Sequence, residues 1–341
     1  MDMRDILVVG ASAGGVSALQ RLFAAMPGES APTVFVVQHI TPSGRSVLPQ
    51  LLTRAGWLPA FHPADGDPVR PGWVHVAPPD RHLLVRDGRT LVRRGARENR
   101  TRPAIDPLFR SAAVAYGPRV VGVVLTGTQD DGAAGLRAVK RCGGVAVVQD
   151  PDDAEWPDMP RNALAHAAVD HCVALDALPA LLARLAAGPA GPAVPIPPEV
   201  ALEAGIPEKE LDLLPDDTAA LGPPSTLSCP ECGGNLSEIH DGPLLRFRCK
   251  VGHAYSPDTL ADAHREAVER ALWVALRTHE DRVILFQRLA ERARERGHAR
   301  VAAAWTASAA EAQRNVALLR EVLERQAGAP GSPDGRNRAA E

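Results

Sequence analysis

Five short β-branched runs separated by helical stretches decide the architecture of the first half of the chain. ILVVG (6–10), TVFVVQH (33–39), WVHVAP (73–78), VVGVVLTG (120–127) and VAVVQD (145–150) are apolar at successive positions, as strands buried on both faces must be. Between them VSALQRLFAAM, VLPQLLTRAG, DPLFRSAAVAYG and AAGLRAVKRCG carry apolar residues at helical spacing. Repeated β-α alternation predicts a doubly wound α/β fold of three layers, a mostly parallel sheet with helices on both sides. In HLLVRDGRTLVRR, Asp87-Gly88 stands between two alternating runs and predicts an inserted antiparallel β-hairpin. The core must be aliphatic, since 45% of the 341 residues are hydrophobic and only 4% aromatic.

The alternation ends near Ala186, and the composition then changes. The expected organisation is a catalytic domain over 1–186, a proline- and acid-rich linker with little to pack over 187–225, and a cysteine-bearing segment over 226–258. A helical hairpin over 259–326 and a disordered tail over 327–341 complete it. The hairpin follows from two apolar series at three- and four-residue steps, Leu260 to Leu289 and Val301 to Val322, broken at ERGHAR.

Charge and targeting exclude several classes. A formal net charge of −3 gives no general attraction to nucleic acid or anionic lipid. No apolar run reaches the roughly 18–20 residues of a membrane span, and MDMRDILVVG lacks the apolar region of a signal peptide. Five unevenly spaced cysteines do not form a disulfide framework. Cys142 and Cys172 read as small buried hydrophobes, and the expected location is the cytoplasm.

The turn after the first strand, GASAGG (10–15), is the richest motif. A dinucleotide loop would require an acid at the end of the second strand, which instead ends in Gln38-His39. No Gly-Lys-Ser/Thr follows for a P-loop. The alternative is a nucleophile: Ser12 at the sheet's carboxyl edge, with small neighbours and a helix N-terminus offering amide N–H groups to an oxyanion. A serine needs a base, and His39 ends a strand expected at the same edge. Asp130 and Asp131 follow a third buried run, where a carboxylate would fix the imidazole tautomer, although either would also serve as a helix cap. His75 and His82 flank a loop expected to be solvated, with contact to substrate as the second reading. Asp106 reads as a helix cap, and Arg161 as a residue near the cleft.

GASAGG, VVQH, RPAIDPLF, the LTG…DG turn and QDPDDAEWPDMPRNAL, in that order, resemble the catalytic domain of the chemotaxis protein-glutamate methylesterases, the CheB family. The resemblance covers about residues 5 to 186. It implies a three-layer α/β/α fold and hydrolysis of γ-glutamyl methyl esters on the cytoplasmic helices of chemoreceptors, releasing methanol, with deamidation of receptor glutamines in many members. It implies Ser12, His39 and Asp131 as the catalytic residues, with no cofactor for catalysis, and oxyanion donors at Ala13 and near Gly127–Thr128. Where the family turn usually reads TGMGxDG, this chain has TGTQDDG, so Thr128 and Gln129 stand where methionine and glycine shape the oxyanion site. The chain starts at the esterase strand, so the expectation is control through the C-terminal part or a signalling partner rather than an attached receiver domain. The competing reading is a catalytically impaired scaffold that binds through its C-terminal segments.

Cys229-x2-Cys232 and Cys249-x3-His253 have the spacing of a four-ligand zinc site. A segment this short has too small a core to fold unaided, so a structural Zn²⁺ in a ribbon-like fold is expected. His240 is the substitute ligand. Arg246, Arg248 and Lys250 are interleaved with Glu231, Glu238 and Asp241, which argues against nucleic acid. The expected partners are methylated chemoreceptor helices, packed against the helical hairpin.

Overall fold

The computed structural model describes residues 3–28, 31–44, 46–209 and 220–327. Among them the chain forms two compact units that divide between Ala261 and Asp262. The first is built on a seven-stranded sheet of β1 (Ile6–Ala11), β2 (Thr33–Gln38), β3 (Ala60–Phe61), β4 (Val74–Val76), β7 (Val120–Val124), β8 (Val145–Gln149) and β9 (His171–Val173). Their order is β3-β4-β2-β1-β7-β8-β9, and every pairing is parallel. The order reverses at β1: the chain runs outward through β2 on one side and later through β7 on the other. Open α/β sheets bind ligands beyond the strand C-termini at such a switch point.

Alternation along the strands divides the core between two faces. Leu7, Val9, Val34 and Val36 pack under α1 (Gly15–Ala25), α2 (Leu48–Ala55) and α6 (Leu178–Ala186) through Leu19, Leu22, Leu52 and Leu182. Ile6, Val8, Phe35 and Val37 pack on the other face against α3 (Ile105–Tyr116), α4 (Ala133–Arg141) and α5 (Asp158–His166), using Ile105, Phe109, Leu136 and Met159. The expected hairpin is β5 (His82–Arg86) with β6 (Arg89–Arg93), an antiparallel pair turning at Asp87-Gly88. It lies outside the main sheet and inserts Leu83 and Val85 into the second core.

Three expectations need correction. The middle of the expected linker is packed: Pro198–Gly205 is a helix, α7, that buries Val200, Glu203 and Ala204. The physical reason is Glu203, whose carboxylate is shared by three buried guanidinium groups. Cys172 is exposed on the edge strand β9 and not buried, whereas Cys142 is buried. His75 and His82 are not solvated loop residues: both are fully buried and hydrogen-bonded to the backbone, His75 to Val34 O and Arg70 N, His82 to Ala96 O and Ala104 N.

Residues 224–255 form a four-stranded antiparallel ribbon, β10 (Pro224–Ser228), β11 (Asn235–Asp241), β12 (Leu244–Cys249) and β13 (Ala254–Tyr255). It docks on the α/β body in two ways. Ala254 O accepts the Asn99 N–H at 2.8 Å, and Ala254 N donates to Arg97 O at 3.3 Å. Beneath this backbone contact lies a buried charge cluster. Arg110 pairs with Glu98, Arg246 with Glu203, and Arg248 reaches Glu98 at 3.0 Å and Glu203 at 2.8 Å. Burial works to raise the Glu203 carboxyl, but the charges of Arg110, Arg246 and Arg248 outweigh it and hold it well below the ordinary range.

The C-terminal helices are α8 (Pro257–Glu295) and α9 (Ala299–Ala327). Gly297, at φ 74°, makes the turn, where the His298 and Gly297 N–H groups bond to the Ala293 and Arg294 carbonyls. Ring stacking of Phe286 on Trp305 and a 2.7 Å Arg320–Glu280 ion pair align the helices antiparallel. The stretch beyond Ala327, expected to be disordered, lies outside the described residues. Among the described residues no helix is long and apolar enough to cross a membrane.

Candidate active site

Ser12, His39 and Asp131 follow β1, β2 and β7, the three central strands, and the structure brings all three together. Ser12 leaves β1 at a sharp turn: its N–H donates to Thr126 O at 3.0 Å and its carbonyl accepts the Gly15 N–H at 2.9 Å. The turn leans on close neighbours. A Cβ at Gly127 would lie 2.7 Å from Ser12 Cβ and would overlap Met159 Sδ. Gly14, at φ 72°, adopts the left-handed conformation that opens α1, whose first turn holds no acidic residue.

His39 Nδ1 lies 3.0 Å from Ser12 Oγ and His39 Nε2 lies 2.7 Å from Asp131 Oδ2. With Nε2 facing a carboxylate, the neutral ring carries its proton there and donates it to Asp131, which leaves Nδ1 to accept the Ser12 hydroxyl proton. Gln38 staples the two loops, its amide donating to Ser12 O at 2.7 Å and to His39 O at 3.0 Å. The side chain of His39 is only 14% exposed, and that of Asp131 only 2%, so the ion pair that forms on proton transfer is screened little by solvent.

Asp131 is held at the N-terminus of α3, where its Oδ2 accepts the Ile105 N–H at 2.6 Å and its Oδ1 the Asp106 N–H at 3.2 Å. The Asn99 amide also donates to its Oδ1, at 3.1 Å. Burial alone would raise this carboxyl; the hydrogen bond and charge of His39, then Ile105 N–H and Asn99, outweigh burial and keep it below its ordinary value. Asp106 is a helix cap, as its sequence context suggested, but of α4 and not of its own helix: its Oδ1 accepts from Gly132 N at 3.0 Å and Gly135 N at 2.6 Å. Neither Asp130 nor Asp131 caps α4 with its side chain, because Asp106 occupies that position. Burial, then the charge of Asp131, pushes Asp106 up to about 7.

The oxyanion expectation changes in one respect. Gly127 N donates to Trp156 O at 2.9 Å and is unavailable. The Ala13 and Thr128 N–H groups have no partner among the described residues. Gln129 sits at φ 65°, a conformation that glycine adopts without strain, and its carbonyl is held by Asn162 Nδ2 at 2.8 Å. Arg161 is exposed on α5.

Three residues of the site have no role assigned by the sequence motifs. Gln38 stands in the sequence only where a dinucleotide fold would need an acid, and Asn99 and Thr101, whose Oγ1 lies 3.4 Å from His39 Nε2, fall in a loop with no motif. An asparagine in a loop with neighbouring charges is unremarkable until its left-handed backbone is seen.

In the ribbon, Cys229, Cys232, Cys249 and His253 bring their ligand atoms within 4.8 Å of one another. Cys232 Sγ is 3.6 Å from Cys249 Sγ, and His253 Nδ1 is 3.5 Å from Cys249 Sγ and 3.7 Å from Cys229 Sγ. A tetrahedral ion with metal–sulfur bonds near 2.3 Å has edges of about 3.8 Å, so the donor set fits one Zn²⁺. His253 Nε2 faces Glu231 at 3.2 Å, the outer carboxylate that a metal-bound imidazole ordinarily has. His240 is exposed beside Glu238, away from the cluster.

Residues 7–182 match the family model described as CheB methylesterase. The chain is 36% identical over 175 residues to a relative from Leptospira interrogans, covering 51% of this chain and 91% of that one, whose name provisionally assigns protein-glutamate methylesterase/protein-glutamine glutaminase activity. It is 41% identical over 178 residues to protein-glutamate methylesterase/protein-glutamine glutaminase 5 of Anaeromyxobacter dehalogenans, covering 51% of this chain and 49% of that one. The chain thus spans about half the length of that second relative. The crystal structure of the Thermotoga maritima CheB methylesterase catalytic domain superposes with a TM-score of 0.51 at 29% identity, over 53% of this chain and 98% of that one.

Proposed function

The chain belongs to the CheB methylesterase family, and from that premise we propose that it is a protein-glutamate methylesterase acting on the cytoplasmic helices of chemoreceptors. It is a carboxylic ester hydrolase, with glutamine deamidation as the related second activity. The observation that carries the reading is the unbroken hydrogen-bond chain from Ser12 Oγ through His39 to the buried Asp131. A scaffold that only binds has no use for a base held 3.0 Å from a serine by a buried carboxylate, so the hydrolase is favoured.

The steps use the chain's own residues. His39 Nδ1 takes the Ser12 hydroxyl proton as Oγ bonds to the ester carbonyl carbon, and the imidazolium is stabilised by Asp131. The tetrahedral oxyanion is met by the Ala13 and Thr128 N–H groups. Collapse breaks the bond to the methoxy group, which leaves as methanol with the proton from His39. A water molecule then adds to the glutamyl-Ser12 ester, giving its proton to His39, and the glutamate carboxylate departs as Ser12 regains a proton. Methanol release from methylated receptor is the test: Ser12→Ala should lower it by roughly 10⁴-fold or more, and retained release excludes this role for Ser12.

The remaining assignments belong to the same reading. Residues 1–186 form the catalytic part, 226–258 a ribbon with one structural Zn²⁺ on Cys229, Cys232, Cys249 and His253, and 259–326 a docking hairpin. Exposed Trp273, Val274, Ile284, Leu285 and Leu318 on that hairpin support an apolar helical partner such as a receptor. Free thiols throughout the described residues accord with a cytoplasmic location, and a signalling protein remains the expected regulator.

A further inference from the structure

The ribbon and the triad are joined by one short strap, residues 97–101. Asn99 and Arg100 both adopt left-handed backbone, at φ 48° and 66°. They are the central residues of a tight turn closed by the Thr101 N–H on Glu98 O at 3.0 Å, and outside contacts decide where that turn is held. On one side the strap pairs with β13: Asn99 N–H donates to Ala254 O at 2.8 Å, and Glu98 forms a parallel bridge with Ala254. Its Glu98 carboxylate is buried against Arg110 and Arg248. On the other side the strap delivers Asn99, whose Nδ2 lies 3.1 Å from Asp131 Oδ1 and 3.1 Å from Asp106 Oδ2. One amide therefore sits between two carboxylates that repel each other, and turns Asp131 so that Oδ2 faces His39.

The ribbon side of this linkage is the Cys/His knuckle itself. Ala254 follows His253 directly, and Cys249 N bonds to His253 O at 3.0 Å. Arg248, which precedes Cys249, donates to Gly252 O at 2.9 Å within the same knuckle. We propose that Asn99 is a positioning residue of the esterase and that the metal-bearing ribbon sets it, through strand β13 and the 97–101 strap. The inference rests on the hydrolase reading above and on the Cys₃His metal. Loss of the metal loosens β13, the strap loses its pairing with Ala254 and shifts as a turn, and the Asn99 amide leaves Asp131. The Asp131 carboxyl then loses one of the hydrogen bonds that keep it low, and His39 loses its fixed partner.

The test uses the full chain with zinc and a small activated ester, so that receptor docking does not enter. Asn99→Gly removes the amide while leaving a left-handed backbone accessible. Zinc-loaded Asn99→Gly and metal-free wild type should each lose about tenfold or more in kcat, with KM little changed. In both, the acid limb of the rate profile, set by the base whose carboxylate partner is weakened, should move to lower pH by about half a unit or more. Stripping zinc from Asn99→Gly should then cost at most about twofold further. If the stripped chain aggregates, Glu231→Gln weakens the metal without touching its four ligands, and activity is followed against free Zn²⁺. The proposal is overturned if metal-free wild type keeps its kcat and acid limb, if the two losses multiply, or if Glu231→Gln activity stays flat as zinc leaves. Failure of the hydrolase reading looks different: zinc-loaded activity that survives Ser12→Ala.

Discussion

In the α/β half, Ser12, His39 and Asp131 are carried by β1, β2 and β7, which are buried along their whole length between two aliphatic cores. In the ribbon, four potential metal ligands stand in turns and strand ends over a core of little more than Leu236, Ile239, Leu244, Phe247 and Tyr255. The first region holds its site by packing that would be there without the site. The second has no such surplus, since burying a handful of apolar side chains at about 1.5–3 kcal/mol each falls well short of the entropy of ordering thirty-odd residues. On the proposed zinc reading a rigid scaffold and a metal-dependent one are fused, and the buried cluster of Glu98, Arg110, Glu203, Arg246 and Arg248 is their joint.

Removing the metal should separate the two regions most sharply. Structural zinc sites contribute on the order of 10 kcal/mol to small domains, so chelation should abolish amide protection in β11 and β12 while β1, β2 and β7 stay protected in hydrogen exchange. Equal protection throughout would mean that the ribbon stands on its own core, and zinc content well below one per chain would remove the premise. Next in size, Asp131→Asn should lower kcat by about 10⁴-fold, because an amide reverses the imidazole tautomer, and should cost about 1–3 kcal/mol, because its NH₂ meets a backbone N–H that the carboxylate accepted. A modest loss would show that His39 is oriented by something else.

The joint can be broken on either side. Glu203→Ala leaves three buried guanidinium groups without their shared counter-charge, and should cost about 3–5 kcal/mol. Its pH dependence has a definite sign: the folded carboxyl lies below its unfolded value, so its stabilisation is complete above the ordinary carboxyl range, about pH 4–5, and is lost as pH falls. Wild-type ribbon docking should therefore weaken on acidification, and Glu203→Ala should flatten that response, as read by thermal unfolding against pH. Phe109→Ala, deep under the sheet, should cost about 3–5 kcal/mol by leaving a cavity, at any pH from 5 to 8 and irrespective of zinc. A zinc-dependent cost at Phe109 would blur the division between the two regions.

How much of this was legible before the structure follows the same division. The α/β architecture could be read because fully buried strands leave uninterrupted apolar runs, and glycine turns mark where they end. Ser12, His39 and the Asp130–Asp131 pair were found by the same logic, since strand ends at one edge must converge. The packed helix α7 was missed because its anchor, Glu203, is an acid in an acidic, proline-rich stretch, and only the arginines 43 and 45 residues further on make it a core residue. His75 and His82 were misjudged for a related reason: their partners are backbone groups of distant segments, which leave no trace in local composition. Asn99 was invisible because its role depends on where the 98–101 turn is held, which the distant Ala254 and Arg248 decide. The Cys/His spacing was readable, but its attachment to the esterase was not.

The proposed hydrolysis requires an acyl group to pass through Ser12, held ready by His39 and Asp131. Acid quenching during turnover of a methylated receptor peptide, followed by mass spectrometry of the fragment containing residues 5–21, tests it most directly. The account predicts a mass increase equal to the glutamyl-peptide acyl group on Ser12, larger when Asp131 is replaced by Asn if deacylation slows more than acylation, and absent in Ser12→Ala. Methanol release with no acyl adduct on Ser12 at any quench time, or with the adduct on another residue, would contradict it.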